Sequence, residues 1–161
     1  TKGSAVFKQL RSGKNNQPFW CYKLRTMHSD CCASDGQTCK DDRRVTYIGK
    51  FLRKTSLDEL PQFYNVLIGD MSVVGPRPHM LKHTEEFSNL VDYYMDRHCL
   101  KPGITGWAQV KNFRGEIKHR DQLIKRVECD IWYINNRTIL VDLKIIIKTI
   151  LNAVQGEENA Y

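Results

Sequence analysis

The stretch Gly49-Lys-Phe-Leu-Arg-Lys-Thr-Ser-Leu-Asp-Glu-Leu-Pro-Gln62 is the most informative part of this sequence, because a helical pattern runs out of it and adjacent acids lie inside it. The spacing of apolar side chains predicts a helix over residues 55–67, and Gly69-Asp70 is a typical ending for that helix. The pattern is carried by four residues: Leu57, Leu60, Tyr64 and Leu67.

Asp58 and Glu59 allow a structural and a catalytic interpretation. In the structural one, Ser56 and Glu59 form a capping box, and Thr55 could equally cap toward Asp58. In the catalytic one, the start of a helix favours an ionised acid. Asp58 is then a carboxylate able to act as a nucleophile or to hold a divalent cation. Neighbouring helical residues point about 100° apart, which suits two separate roles for the acids.

Basic residues near the acids suggest a phosphate ligand. Arg53 lies just upstream, where it could meet phosphates that a metal would bridge. Arg77 stands between two prolines in the segment 75–78, so its backbone is rigid and its guanidinium is a suitable fork for a phosphate. The alternative is a structural turn with a solvated arginine. In the glycine-containing loop 101–110, Trp107 and Gln109 could meet a base or a sugar, or the loop could simply bury one Trp.

Composition and charge narrow the class of protein. The 161 residues carry a net charge of +7, and the excess of Lys and Arg lies within residues 1–60. A basic region suits an anionic partner, although a solvated basic face has the same composition. No apolar run is long enough for a transmembrane helix. The chain starts at Thr1 without a Met, which suggests that something longer precedes it.

The six cysteines show neither a disulfide framework nor a usual zinc spacing. We therefore interpret them as reduced thiols in a cytoplasmic protein. Three of them fall in the polar, aperiodic segment 28–46, which we interpret as a surface loop. The cysteines are Cys21, Cys31, Cys32, Cys39, Cys99 and Cys129.

The remaining patterns predict an α+β fold, mostly helical, with a small N-terminal β-hairpin. The hairpin pairs residues 5–10 with 19–24 across the loop 11–18. A helix is predicted over 79–99, followed by a loop from 102 to 115. Two further helical patterns follow this loop. The first contains Leu123, Ile124, Val127 and Ile131, and the second contains Leu140, Leu143, Ile146, Ile147, Ile150, Leu151 and Val154.

The last of these helices has a wide apolar face, with Lys144 and Lys148 on the other side. Periodicity alone favours a terminal helix that packs on the core. An amphipathic helix lying flat on a membrane surface has the same pattern, so both interpretations stay open.

Two further clusters have simple explanations. His79 and His83 are four residues apart, with Glu86 beyond them, and this spacing could bind a metal. Without a third strong ligand, surface or core histidines are the better interpretation. The aromatic residues of 19–22 could stack on single-stranded nucleic acid. Packing of one hairpin face on the core is simpler, and we expect no nucleic-acid partner.

Six motifs together carry a resemblance that spans nearly the whole chain. They are Lys8-Gln9, Tyr22 to Met27, Arg53 to Gln62, Gly69 to Pro78, Lys101 to Val110 and Asp130 to Ile134. Any one motif would be weak evidence, but six in the same order are specific. With these motifs the sequence resembles the polyprenyl-phosphate phosphoglycosyl transferases of the monotopic bacterial sugar transferase family.

The resemblance implies a reaction. Family members transfer a hexose-1-phosphate from a UDP-sugar to undecaprenyl phosphate and release UMP, as the first membrane step of capsule, exopolysaccharide or O-antigen synthesis. Their adjacent acids match Asp58 and Glu59. By that analogy Asp58 forms a phosphoglycosyl-aspartate, Glu59 assists with the metal or as a base, and both acids are candidate ligands of Mg2+. A two-step transfer predicts ping-pong kinetics.

The resemblance also suggests a set of substrate-binding residues: Lys23, Arg25, Arg53 and Arg77 as a phosphate cradle, with Gln109. We expect residues 1–161 to be a single catalytic domain that begins just after a hydrophobic N-terminal segment, and so to be truncated there. The expected site of action is the cytoplasmic face of the bacterial inner membrane. The rival hypothesis is a non-catalytic basic module that binds RNA or an acidic membrane.

Overall fold

The computed structural model describes residues 3–28, 42–113, 115, 117 and 119–155, and the fold is α+β as predicted. Helices account for about half of these residues, and within them no helix has the length and apolarity to cross a membrane. The strands are β1 Val6–Ser12, β2 Pro18–Leu24, β3 Ser72–Val74 and β4 Gly103–Thr105. The α-helices are α1 Tyr47–Lys54, α2 Gln62–Leu67, α3 Leu81–Ser88, α4 Trp107–Val110, α5 Arg120–Asn136 and α6 Ile139–Gln155.

The predicted N-terminal hairpin is confirmed. Strands β1 and β2 are antiparallel, with Val6 opposite Leu24 and Ser12 opposite Pro18. Pairing runs on to Ser12, so the connecting loop is shorter than predicted. Alternation along β2 buries Cys21 against Met71 while the neighbouring Trp20 stays 45% exposed. One face of the hairpin therefore packs on the core, and the other faces outward.

The prediction of one helix over 55–67 is wrong. Helix α1, which the sequence analysis missed, ends at Lys54, and Ser56 then takes a left-handed conformation with φ of 57°. A single 3-10 turn, Leu57–Glu59, follows, and α2 starts only after Pro61. A left-handed residue breaks the α-helical path. Proline has no backbone N–H to continue a hydrogen-bond ladder.

The predicted helix over 79–99 is also broken. Helix α3 ends at Ser88, and a 3-10 helix covers Tyr94–Cys99 after a turn. The apolar spacing still reflects a real core, because Phe87, Val91 and Tyr94 are buried together with Leu123 and Val127 of α5. The apolar spacing predicted burial only in part, since Leu90 and Met95 of the same pattern are 45% and 40% exposed, and it did not predict a continuous helix.

A second, parallel pair of short strands lies inside segments that we expected to be connections. Ser72 of β3 lies opposite Gly103 of β4, and Val74 lies opposite Thr105. The backbones approach so closely that a Cβ on Gly75 would lie 2.6 Å from the Lys101 carbonyl oxygen. A Cβ on Gly103 would overlap the Gly75 nitrogen. Any side chain here would push the two segments apart.

The two C-terminal helices are confirmed as α5 and α6. Ile145 of α6 is fully buried in a cluster with Val74, Val110 and Tyr133, so α6 packs on the core, but mainly through a different face from the predicted one. Five residues of the predicted apolar face are instead 50–77% exposed: Leu140, Leu143, Ile147, Ile150 and Leu151. The predicted loop 102–115 contains β4 and α4. Residues 29–41 of the predicted loop 28–46 lie outside the described residues, together with three cysteines. The described cysteines are free thiols: Cys21, Cys99 and Cys129.

Candidate active site

Three elements bring Glu59 together with two cations. Lys23 comes from β2, Glu59 from the 3-10 turn, and Arg77 from the turn that follows β3. Glu59 Oε1 accepts hydrogen bonds from Lys23 Nζ at 3.0 Å and from Arg77 Nη2 at 2.7 Å. Glu59 Oε2 accepts from Arg77 Nη1 at 3.4 Å. The structure thus joins two of the predicted cradle residues at one member of the acid pair.

Asp58 is in a different position from Glu59. Its side chain is 9% exposed, and no hydrogen bond or ion pair joins it to another residue in the part of the chain that the structure describes. Burial raises the pKa of the Asp58 carboxyl, while Lys23, Arg77 and Arg53 act at longer range to lower it. The neighbouring Glu59 carboxylate also raises the pKa of Asp58. Asp58 is therefore a buried acid with both signs of charge nearby and a shifted pKa, which makes it a candidate for chemistry.

The short 3-10 turn explains why the two acids differ, and it overturns the structural interpretation. Ser56 precedes the turn but its side chain makes no capping hydrogen bond, so the predicted capping box is absent. Thr55 closes α1 instead, with its hydroxyl donating to the carbonyl oxygens of Phe51 and Leu52. Consecutive residues on a 3-10 helix point about 120° apart. Glu59 therefore meets the cations while Asp58 points elsewhere.

The electrostatics of the two cations follow from burial and from Glu59. Burial lowers the pKa of the Lys23 ammonium, and the Glu59 carboxylate partly opposes that shift. Burial also disfavours the charged form of Arg77, but Glu59 outweighs this effect and the pKa of Arg77 is raised. The side chains of Lys23 and Arg77 are 21% and 22% exposed, respectively. Both cations are therefore accessible to a polar ligand that would replace Glu59.

Arg53 and Arg25 lie at the edge of this site. Arg53 Nε donates to Thr26 Oγ1 at 2.8 Å, and burial lowers the pKa of Arg53 while Asp58 opposes that shift. This places Arg53 within electrostatic range of Asp58. Arg25 follows Lys23 by two residues, and one contact of its guanidinium is to the Gly3 carbonyl oxygen at 3.4 Å. The role of Arg25 in the phosphate cradle stays a prediction.

Gln109 has a different environment from the other predicted substrate-binding residues. It lies on α4, is 7% exposed, and its Nε2 donates to the Ile104 carbonyl oxygen at 3.1 Å. Its Oε1 is buried and accepts no hydrogen bond from the described residues. The observed contacts make Gln109 a support for the loop after β4, and its contact with substrate stays a prediction.

A buried arginine network, composed of His79, Tyr94, Arg97 and Asp130, holds the turn that carries Arg77. Arg97 Nε and Nη2 donate to Asp130 Oδ2 at 2.9 and 2.6 Å. Arg97 Nη2 also donates to the Arg77 carbonyl oxygen at 2.8 Å. His79 contacts Arg97 and Tyr94 through Nδ1, which confirms the interpretation of His79 as a core histidine. The network fixes the backbone from which Arg77 reaches Glu59.

Sequence reasoning missed the residues that hold the site together. Arg97 belongs to none of the motifs above, and Asp130 appeared only as part of one. Asn65 was seen only as a member of a helix, yet its Oδ1 accepts from the Tyr22 N–H and its Nδ2 donates to the Trp20 carbonyl oxygen. A polar residue on the apolar face of a predicted helix is a signal that the residue has a buried partner. The sequence does not identify that partner, because it is distant along the chain.

The contacts of the Asp58 and Glu59 carboxylates indicate which of them could bind Mg2+. Both oxygens of Glu59 are engaged by cations, and no group of three or more His, Cys, Asp or Glu is positioned as a metal cage among the described residues. Mg2+ is commonly held by one or two carboxylates together with substrate phosphates. Asp58 fits that arrangement. Glu59 as a second ligand stays a prediction, because it would have to release Lys23 or Arg77.

Comparisons with known proteins agree on one family. The family model for bacterial sugar transferases matches residues 1–156. A UDP-glucose:undecaprenyl-phosphate glucose-1-phosphate transferase from Klebsiella pneumoniae is 49% identical over 153 residues, which cover 93% of this chain and 32% of that protein. The protein of the same name from Xanthomonas campestris pv. campestris is 45% identical over 161 residues, covering 99% and 33%.

A third relative is named for a different sugar. A UDP-N-acetylgalactosamine-undecaprenyl-phosphate N-acetylgalactosaminephosphotransferase from Aeromonas hydrophila is 42% identical over 155 residues, which cover 96% of this chain and 36% of that protein. The chain spans about a third of the length of these relatives. The match of the family model over residues 1–156 shows that this chain belongs to the bacterial sugar transferase family.

Proposed function

We propose that this chain transfers a hexose-1-phosphate from a UDP-sugar to undecaprenyl phosphate and releases UMP. One observation carries the proposal: the buried Asp58 has no described partner, although it lies among the cations that engage Glu59. Such a carboxylate is suited to attack phosphorus. The names of relatives that are 42–49% identical support the same reaction.

The first step forms a bond between Asp58 and the sugar-bearing phosphate. A carboxylate oxygen of Asp58 attacks the β-phosphorus of the UDP-sugar, and the bond from that phosphorus to the bridging oxygen breaks. UMP leaves with the electron pair of this bond. Lys23 and Arg77 stabilise the negative charge on the phosphate oxygens, for which a planar guanidinium is well suited.

The second step restores the carboxylate. A phosphate oxygen of undecaprenyl phosphate attacks the same phosphorus, the aspartyl bond breaks, and the sugar leaves on a lipid diphosphate. Before the diphosphate binds, Glu59 positions the Lys23 and Arg77 side chains. The diphosphate then replaces Glu59 as their hydrogen-bond partner. When bound, Mg2+ offsets the charge of the diphosphate, and Asp58 would be its protein ligand.

The lipid acceptor implies association with a membrane, which we place at the cytoplasmic face of the bacterial inner membrane. The pathway that this step would start is synthesis of capsule, exopolysaccharide or O-antigen. One relative, from Rhizobium leguminosarum, is named as an exopolysaccharide production protein. The rival hypothesis of a non-catalytic basic module explains the basic region but not a buried Asp58 that has no partner among the described residues, and the relatives do not favour it.

Release of UMP tests the proposal in two stages. The chain is first incubated with Mg2+ and a panel of UDP-sugars without lipid, and we expect about one equivalent of UMP. The intact mass should increase by one hexose-phosphate, and peptide mapping should locate it on Asp58. Detergent-solubilised undecaprenyl phosphate should then produce repeated turnover, which EDTA abolishes. The sugar that works would identify the donor.

Each alternative predicts a different result. UMP release only when both substrates are present, with no mass increase, would indicate direct transfer and remove the covalent step. A modified residue other than Asp58 would reassign the nucleophile. Absence of UMP with every sugar, combined with binding that needs only low ionic strength, would support the basic binding module instead.

A further inference from the structure

Helix α6 is apolar on two sides. Ile145 is fully buried, and Val141 and Ile146 pack against the same core cluster. Another set of side chains on α6 points away from the core and is 50–80% exposed. At about 100° per residue, this set fills one arc of about 120°. Its members are Ile139, Leu140, Leu143, Ile147, Ile150 and Leu151.

A pair of tryptophans lies beside α6 and attracts three lysines. Trp107 stacks on Trp132 with ring centroids 4.6 Å apart. The ammonium groups of Lys111, Lys144 and Lys148 lie 5.1, 5.9 and 5.9 Å from the Trp107 ring centroid. Three positive charges from two elements thus converge on one indole ring.

This convergence is more than a cation–π contact requires. A single ammonium over an indole already gains the attraction of the ring, while a second and third add mutual repulsion. None of the three lysines forms an ion pair with a carboxylate within the described ranges. The cluster is therefore a local excess of positive charge, and an anion held between the ammonium groups would relieve the repulsion.

The position of the cluster indicates which anion it would hold. On the helical wheel, Lys144 and Lys148 border the exposed apolar arc of α6 on the side of Trp107. Tryptophan is enriched at the boundary between water and lipid, and lysine can lay its hydrocarbon stem on an apolar surface while its ammonium reaches phosphate. Free phosphate could bind the three ammonium groups, but it would leave the exposed apolar arc of α6 in water. A phospholipid would cover both.

We propose that Trp107, Lys111, Lys144 and Lys148 form a site for the phosphate of an anionic phospholipid headgroup, with the exposed arc of α6 lying in the acyl boundary. The inference rests on the membrane association proposed above and not on the transfer reaction. It makes α6 both a core helix and an interfacial one, so the two interpretations of its sequence pattern are compatible.

Binding to vesicles tests the site. The chain is mixed with phosphatidylcholine vesicles, or with the same vesicles containing phosphatidylglycerol, and bound protein is measured by co-flotation. We expect a clear preference for the anionic vesicles. The double variant Lys144→Gln/Lys148→Gln should weaken binding to them by about 30-fold, since each lysine near an anionic surface contributes about fivefold.

A matched control separates this site from the overall charge. Lys82→Gln/Lys125→Gln removes the same two charges from exposed positions on α3 and α5, and it should weaken binding less than about threefold. Both variants should keep the wild-type thermal melting curve. UMP release with detergent-solubilised substrate should also be unchanged in both, so a failure of this inference is distinguishable from a failure of the proposed reaction.

Four results would overturn the proposal. Equal losses in the two double variants would indicate attraction to the whole basic surface. Competition by millimolar inorganic phosphate in the wild type alone would indicate a free-phosphate site. Concentration-dependent dimerisation without vesicle binding would indicate that a second copy covers α6. Loss of UMP release in Lys144→Gln/Lys148→Gln would place the cluster in substrate binding.

Discussion

Two buried charge clusters in this molecule differ in how completely their charges are matched. In the buried arginine network, Arg97 is 2% exposed, and its donors reach Asp130, the Arg77 carbonyl oxygen, His79 and Tyr94. In the acid-pair cluster, formed by Lys23, Asp58, Glu59 and Arg77, two cations meet Glu59 and Asp58 stays without a described partner. The charged groups of the first cluster are saturated, although His79 Nε2 has no hydrogen-bond partner among the described residues, whereas the charged groups of the second are not.

This difference indicates how the fold divides its charged residues between support and reaction. A saturated buried cluster costs much to disturb, because any lost partner leaves a buried charge alone. An unsaturated cluster can exchange one anion for another with little rearrangement. The two are connected through Arg77, whose main chain is held by the network while its side chain belongs to the acid-pair cluster. The network thereby supports the backbone of a residue that belongs to the proposed reactive cluster.

The largest expected effect comes from removing the unmatched carboxylate. Asp58→Asn keeps the size of the side chain but removes the proposed nucleophile, so we expect UMP release to fall by at least about a thousandfold. The mass increase with UDP-sugar alone should disappear as well. Asp92→Asn, at an exposed position, is the matched control and should behave as wild type. Release that persists in Asp58→Asn would show that the acid-pair cluster works through another group.

The second effect breaks the saturated cluster. Arg97→Met leaves Asp130 buried without its cation, and we expect the free energy of unfolding to fall by about 3–5 kcal/mol, measured by urea denaturation. Adding Asp130→Leu should recover most of the loss, since it removes the stranded charge. If Arg97→Met costs less than about 1 kcal/mol, the network is not the saturated support that its geometry indicates.

A smaller effect should show whether the two-donor geometry of the Arg77 guanidinium matters beyond its positive charge. Arg77→Lys keeps a cation for Glu59 but loses the two-donor fork, so we expect kcat/KM for UMP release to drop about 10- to 100-fold. The free energy of unfolding should change little. Arg137→Lys is the control, because Arg137 is half-exposed and lies 3.9 Å from Asp142. Equal activity of Arg77→Lys and wild type would reduce Arg77 to a point charge.

The smallest effect concerns stability and pH. Burial raises the folded-state pKa of Asp58 above its unfolded value, so ionised Asp58 destabilises the fold at neutral pH and protonation at lower pH relieves the cost. We therefore expect Asp58→Asn to be more stable than wild type at neutral pH, by about 0.5–2 kcal/mol.

The difference between Asp58→Asn and wild type should shrink as the pH falls through the folded-state pKa of Asp58, and denaturation curves across acid pH would measure it. The acid limb of wild-type UMP release should likewise lie above the pH at which an ordinary aspartate titrates. If Asp58→Asn is instead less stable than wild type at neutral pH, and this deficit disappears toward acid pH, Asp58 is matched by a cation after all.

Local sequence signals predicted those parts of the fold in which neighbours along the chain decide the structure. Alternation gave the hairpin, and helical spacing gave α5 and α6. The same spacing failed at Ser56, where one residue adopts a left-handed conformation, and after Ser88, where a turn preserves burial without preserving helix. Strands β3 and β4 have three residues each and pair across about thirty residues, so no local pattern could reveal them.

The site divides in the same way. Resemblance and local chemistry together identified Asp58, Glu59, Lys23 and Arg77, and the structure brings these four into one cluster. Nothing in the sequence indicated that Glu59, and not Asp58, would meet the cations. That distinction depends on the direction of a single 3-10 turn. Arg97 was missed for a related reason, because its partner Asp130 lies 33 residues away and the pairing exists only in the folded chain.

The close approach of Gly75 and Gly103 has a consequence for how this enzyme family can diversify. Functional loops usually change by accepting insertions and larger side chains, but this contact leaves room for neither. If the proposed transfer is right, we expect residues that select the donor sugar to lie outside this contact, because neither glycine can be enlarged without moving the backbone. A library of engineered variants should therefore keep Gly75 and Gly103 unchanged and vary other positions.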